Sequence, residues 1–230
     1  MAQNLTIQTT DGEFSAYVAR PDQAKAPAIV VIQEIFGVNA VMRAITDKFA
    51  AAGFLAICPD LFWRIEPGID ITDGSKAEWK RAFELYNAFD VDNGVRDLAE
   101  TISAARSHPA CSGKVGSVGF CLGGLLAYLT ATRTDVDAAV GYYGVGIERF
   151  TAEADGLSTP LVLHIAEEDQ FVPKEAQAEI IAKLDSLSGV ELYKYPGQDH
   201  AFARMGGEHY SADATDLAWT RTLSLFNRAL

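Results

Sequence analysis

Short apolar runs alternate with amphipathic stretches along most of this chain. Leu5 to Pro21 alternates apolar and polar residues on either side of Asp11-Gly12, which predicts a hairpin of two half-buried strands. Ala28 to Ile32 is a continuous, largely β-branched run, as expected of a strand buried on both faces. Asn39 to Ala52 has helical periodicity and stops at Gly53, and Phe54 to Cys58 is the next apolar strand. Leu61 to Gly74 is irregular. Lys76 to Phe89 and Asp92 to Ser107 read as helices, the second with Val95, Leu98, Ala99 and Ile102 on one face. Val115 to Val118, Ala138 to Tyr142, Leu161 to Ile165 and Glu191 to Tyr195 read as strands. Leu125 to Arg133, Glu175 to Leu187 and Tyr210 to Leu230 read as helices.

Strands and helices alternate from residue 28 onward. That order predicts an α/β fold with a mostly parallel central sheet, helices on both faces and an N-terminal hairpin. No repeat, low-complexity segment or linker interrupts it, so residues 1–230 are expected to form a single domain. In such sheets the site lies at the carboxyl ends of the strands.

The residues there carry the chemistry. In GFCLGG, Cys121 follows a short apolar strand and precedes a helix, with Gly119, Gly123 and Gly124 around it. This is the layout of a nucleophile elbow with cysteine in place of serine. Small neighbours are needed where a strand and a helix meet at a sharp turn. The backbone N–H of Leu122, at a helix N-terminus, is an oxyanion donor by position. Taken alone, the motif is equally compatible with a buried structural cysteine. Asp169 lies past the strand ending at Ile165, and His200 past the strand ending at Tyr195. Nucleophile, acid, histidine is the chain order of an α/β-hydrolase triad. A histidine can take the thiol proton, and a carboxylate on its other nitrogen fixes the tautomer. Glu167, Glu168 and Asp199 are rivals to Asp169, with solvated loop acids as their simpler reading.

Glu34 follows the strand ending at Ile32 and is flanked by Ile35 and Phe36. A carboxylate there needs a hydrogen bond or a proton. It is either a second base near the thiol or a strand-end residue tied to an arginine. The N–H of Ile35 is a second candidate oxyanion donor. His164 lies inside a strand and reads as a core residue, His108 as a loop residue, and His209 as the start of the last helix. Cys58 reads as buried and inert, and Cys111 as a loop residue without a role.

Charge narrows the partners. The net charge is -12, which speaks against nucleic acid and anionic membrane surfaces. Three cysteines without framework spacing fit a reducing compartment, and the N-terminus lacks signal-peptide character. A cytoplasmic protein without a metal or other cofactor is expected.

QEIFGVN, CPDLF, NGVRDL, KVGSVGFCLGG, AVGYYGVG, DQFVP and DHAFAR together resemble the dienelactone hydrolase (carboxymethylenebutenolidase) family, from about residue 5 to the C-terminus. The resemblance implies the α/β-hydrolase fold and an enzyme that opens a lactone bearing a carboxylate; a monomer acting on a small molecule is expected. It implies Cys121 as nucleophile, Asp169 as acid and His200 as base. It further implies that Glu34 takes the thiol proton, that Ile35 and Leu122 hold the oxyanion and that Arg204 binds the substrate carboxylate. Phe36, Trp79 and Phe83 complete the expected substrate-binding set. Trp79 and Phe83 stand where the family's best-known members carry an arginine and a tyrosine. A larger or less charged ester, a thioester, or binding of a ligand without turnover are the alternative readings.

Overall fold

The computed structural model describes residues 3–230. They fall into two compact units, one ending at Ser117 and one beginning at Val118.

The first unit opens with the expected hairpin. β1 (Gln3–Thr9) and β2 (Gly12–Ala19) are antiparallel, with Thr9 opposite Gly12. β2 buries Phe14, Ala16 and Val18 on alternate positions, as its sequence dictates. β2 also pairs antiparallel with β4 (Leu55–Pro59), which pairs parallel with β3 (Ala26–Ile32). Every residue from Ala28 to Ile32 is fully buried. α1 (Ala40–Ala51) packs on β4 and β2 and is capped by Asn39, whose side chain accepts from the Met42 N–H. α2 (Lys76–Ala88) begins with a capping pair in which Ser75 Oγ accepts the Glu78 N–H and Glu78 accepts the Ser75 hydroxyl. α3 (Val91–Ser107) is capped by Asp90 and packs on β1 and β3.

β5 (Cys111–Phe120) has its first seven residues in the first unit and its last three in the second. It begins four residues earlier than the apolar run predicts. Cys111 is therefore a buried strand residue, not a loop residue. The sheet has eight strands in the order β1-β2-β4-β3-β5-β6-β7-β8.

In the second unit, β6 (Ala138–Tyr142), β7 (Leu161–Ala166) and β8 (Val190–Tyr195) run parallel. α4 (Leu122–Arg133) packs on β6, and α6 (Ala212–Ala229) on β6 and β7. α5 (Lys174–Leu184) packs on β8 and on a 3-10 helix, Ile147–Ala154, which the hydrophobic pattern does not announce. α4 is buried along almost its whole length, so it reads apolar all round and not as an amphipathic stripe. α6 starts only at Ala212, where Ser211 caps it, so His209 lies before the helix. No helix among the described residues is long and apolar enough to cross a membrane.

Candidate active site

The second unit carries the elbow. Cys121 has φ 58° and ψ -117° and stands between the end of β5 at Phe120 and the start of α4. Only three non-glycine residues among those described have positive φ: Cys121, Tyr143 and Ala201. All three border the same chemistry, since Tyr143 meets the His200 ring and Ala201 follows it. Such strain persists where surrounding structure over-determines it, as at active sites. The elbow glycines explain how Cys121 is held. A Cβ on Gly119 would lie 1.8 Å from the Gly123 carbonyl oxygen, and one on Gly124 would lie 2.5 Å from that of Tyr142. The Cys121 N–H donates to the Tyr142 carbonyl at 3.1 Å. Leu122 is the first residue of α4, so no carbonyl within the helix lies ahead of it to accept its N–H.

Asp169 and His200 are brought together. His200 Nδ1 lies 2.8 Å from Asp169 Oδ2, and both residues are buried. The other carboxylate oxygen, Oδ1, accepts the Phe171 N–H at 2.8 Å. The acceptor at Nδ1 makes this nitrogen the protonated one. His200 Nε2 is buried and has no conventional hydrogen-bond partner among the described residues. Burial alone would lower the imidazole pKa. The negative charge of a Cys121 thiolate and the contact with Asp169 outweigh it and raise the pKa to about 10.

Of the rival acids, Glu168 pairs with exposed Lys174. Asp199 is not the solvated acid its loop position suggests. Its Oδ1 accepts the N–H groups of both Gln170 and His200, at 3.1 and 2.6 Å. It thereby stitches the loop after β7 to the loop after β8. The signal in the sequence was only its place next to His200. Arg204 is buried in the turn past His200, and its N–H donates to the Ala201 carbonyl.

The first unit holds the remaining candidates. Glu34, Ile35 and Phe36 are all buried directly after β3, Glu34 with 2% of its surface exposed. Gln33 braces this turn, its amide donating to the Glu34 carbonyl and accepting the Leu61 N–H. Phe36, Trp79 and Phe83 form an aromatic row. Phe36 meets Trp79 edge-on at 5.2 Å, and Trp79 stacks on Phe83 at 5.6 Å. Trp79 Nε1 donates to the Asp73 carbonyl, and Phe83 is exposed. Arg81 is held by Glu66 and Glu84. Among the described residues no cluster of three or more His, Cys, Asp or Glu side chains is arranged to hold a metal.

A mixed sheet of this order with a strained residue between strand and helix defines the α/β-hydrolase class. The chain belongs to the dienelactone hydrolase family, whose model matches residues 14–230. A protein of Azospirillum brasilense is 49% identical over 222 residues, covering 96% of this chain and 95% of that one. The carboxymethylenebutenolidase of Pseudomonas putida is 40% identical, covering 97% of this chain and 95% of its own. A solved structure from Klebsiella pneumoniae subsp. pneumoniae MGH 78578 superposes with a TM-score of 0.86 at 27% identity, covering 99% of this chain and 98% of that chain. Membership of this family makes the chain a hydrolase of ester or lactone bonds.

Proposed function

We propose that the protein is a cysteine-dependent hydrolase of a dienelactone-type (carboxymethylenebutenolide) substrate, acting through Cys121, His200 and Asp169. The observation behind this reading is the buried 2.8 Å contact between His200 and Asp169, in the same unit as a cysteine at a φ 58° elbow. Cys121 Sγ, as a thiolate beside a His200 that is already protonated, attacks the carbonyl carbon, and the carbonyl π electrons move onto its oxygen. The Leu122 N–H holds that oxyanion. Collapse of the intermediate expels the ring oxygen, which takes a proton from the His200 imidazolium, leaving a thioester on Cys121. His200, now neutral, takes a proton from water. The resulting attack releases the acid and regenerates the thiolate. Following the resemblance, we assign the initial thiol proton to Glu34, a second oxyanion bond to the Ile35 N–H, and the substrate carboxylate to Arg204.

The protein is proposed to work as a monomeric, single-domain cytoplasmic enzyme on a small molecule, without a cofactor. Replacing Cys121 by alanine tests the reading. Turnover is expected to vanish while the far-UV spectrum and melting temperature stay close to wild type. Retained turnover overturns the assignment.

A second substrate reading is favoured by one observation. α2 offers the Trp79–Phe83 stack where a second carboxylate-binding arginine is expected, and Arg81 beside it is already paired. A larger, less charged ester fits such an aromatic surface better than a small carboxylate anion does. A comparison of kcat/KM for a dienelactone carboxylate and for neutral esters of similar size separates the two.

A further inference from the structure

Behind the elbow runs a buried hydrogen-bonded chain that the mechanism does not use. Tyr195 OH lies 2.8 Å from His164 Nδ1. His164 Nε2 lies 3.0 Å from Thr222 Oγ1, which lies 2.7 Å from Tyr142 OH. The four side chains come from β8, β7, α6 and β6, and none exceeds 3% exposure. A histidine buried this deeply is ordinarily a packed core residue. Here it also has a defined direction.

Burial, with the nearby Arg221 charge, holds the His164 pKa down to about 3, so the ring is neutral at any working pH. A neutral imidazole donates from one nitrogen and accepts at the other. Burial raises the Tyr195 pKa, and a hydrogen bond from Arg221 partly offsets it. Arginine can only donate, so the Tyr195 hydroxyl proton is left to point at His164 Nδ1. Nε2–H then donates to Thr222.

The two ends of this chain pack against the residues that flank Cys121 and His200. The Tyr142 ring stacks at 4.7 Å on Phe120, the residue before Cys121, and the Tyr142 carbonyl accepts the Cys121 N–H. The Tyr195 ring stacks at 4.7 Å on Phe202, two residues past His200. In the middle, the His164 carbonyl accepts the Tyr143 N–H at 2.8 Å, and the Tyr143 ring meets His200 edge-on at 5.1 Å.

We infer that His164 is a positioning residue. Its imidazole, locked in one tautomer between Tyr195 and Thr222, sets the placement of the Cys121 elbow relative to the His200 loop. This rests on the reading of Cys121 and His200 as the reacting pair. Fully satisfied buried networks of this kind rigidify what they join, whereas plain apolar packing would leave the two loops less tightly registered.

Thr222→Val keeps the shape and removes the hydroxyl, Thr222→Ser restores it, and Tyr195→Phe cuts the other link. Rates are measured well below the unfolding temperature and divided by thiol-titrated active enzyme. Thr222→Val and Tyr195→Phe are expected to lower kcat about tenfold with KM within about twofold of wild type, and Thr222→Ser to recover most of kcat. If Thr222→Val does not fold, Tyr195→Phe and Thr222→Ser carry the test alone. Unchanged kcat in Thr222→Val or Tyr195→Phe, or loss of stability in them without loss of kcat, overturns the proposal. A Cys121→Ala control run alongside separates the two levels. If it is inactive while the network variants keep full kcat, only the positioning role fails. If it retains turnover, the underlying reading fails.

Discussion

His200 and Asp169 share a 2.8 Å hydrogen bond although they are separated by 31 residues and lie in different loops. Asp199 adds one further bond between the same loops, from the Gln170 N–H, and a second within its own loop, from the His200 N–H. The orientation of the imidazole is thus fixed twice, once at the ring and once at the main chain. Asp169→Asn keeps the shape but lets the amide donate to Nδ1, which favours the wrong tautomer. A fall in kcat of about 10³- to 10⁴-fold is expected, with KM little changed. Steady-state kinetics checks this, and a fall of less than tenfold would speak against Asp169 as the orienting acid.

The raised pKa of His200 has a definite sign. A folded value of about 10 against an ordinary 6.5 means that protonation favours the folded state. That contribution is fully present below about pH 6.5 and is lost as pH rises through about 10. Because the Cys121 charge is a main cause of the rise, removing it lowers the midpoint. Proton NMR of the His200 ring is expected to show a titration midpoint well above 6.5 in wild type and a lower one in Cys121→Ala. Equal midpoints would separate the imidazole from the thiol.

The elbow glycine makes a stability prediction. In Gly119→Ala the new methyl meets backbone at 1.8 Å, with no side chain to swing aside. Destabilisation of roughly 2–4 kcal/mol is expected. Gly68 has φ 78° and no atom within 4 Å of an added Cβ, so Gly68→Ala is expected to cost only about 1–2 kcal/mol, from backbone strain. Urea unfolding of both variants checks the contrast; equal losses would mean that close approach is not what Gly119 serves.

Trp79 bears on substrate choice. Trp79→Arg is expected to raise kcat/KM for a carboxylate-bearing lactone relative to a neutral ester by about tenfold or more, the scale of one charge-assisted hydrogen bond. An unchanged ratio would remove Trp79 from the substrate-binding set.

Most of the sheet was legible because its strands are buried on both faces and so read as unbroken apolar runs, as in Ala28 to Ile32 and Leu161 to Ile165. The start of β5 was not, since Cys111 to Lys114 is a mainly polar lead-in to the apolar run. The 3-10 helix Ile147–Ala154 follows Gly146 at φ 96° and is too short to show a period. α5 ends at Leu184, three residues before its apolar pattern does. At the site, the strand-end positions of Cys121, Asp169 and His200 were readable because topology alone exposes those loops. The second role of Asp199 and the Tyr142–Thr222–His164–Tyr195 chain were not. Their partners are up to 80 residues apart, and no local spacing encodes such a contact.

The central claim is that a thioester forms on Cys121. Wild-type enzyme is mixed with a chromogenic ester, quenched in acid within the first turnover and digested for mass spectrometry. The account predicts a burst of released alcohol and one acyl group on the peptide containing Cys121, both absent in Cys121→Ala. An acyl group on another residue, or turnover without any covalent adduct and undiminished in Cys121→Ala, would contradict it.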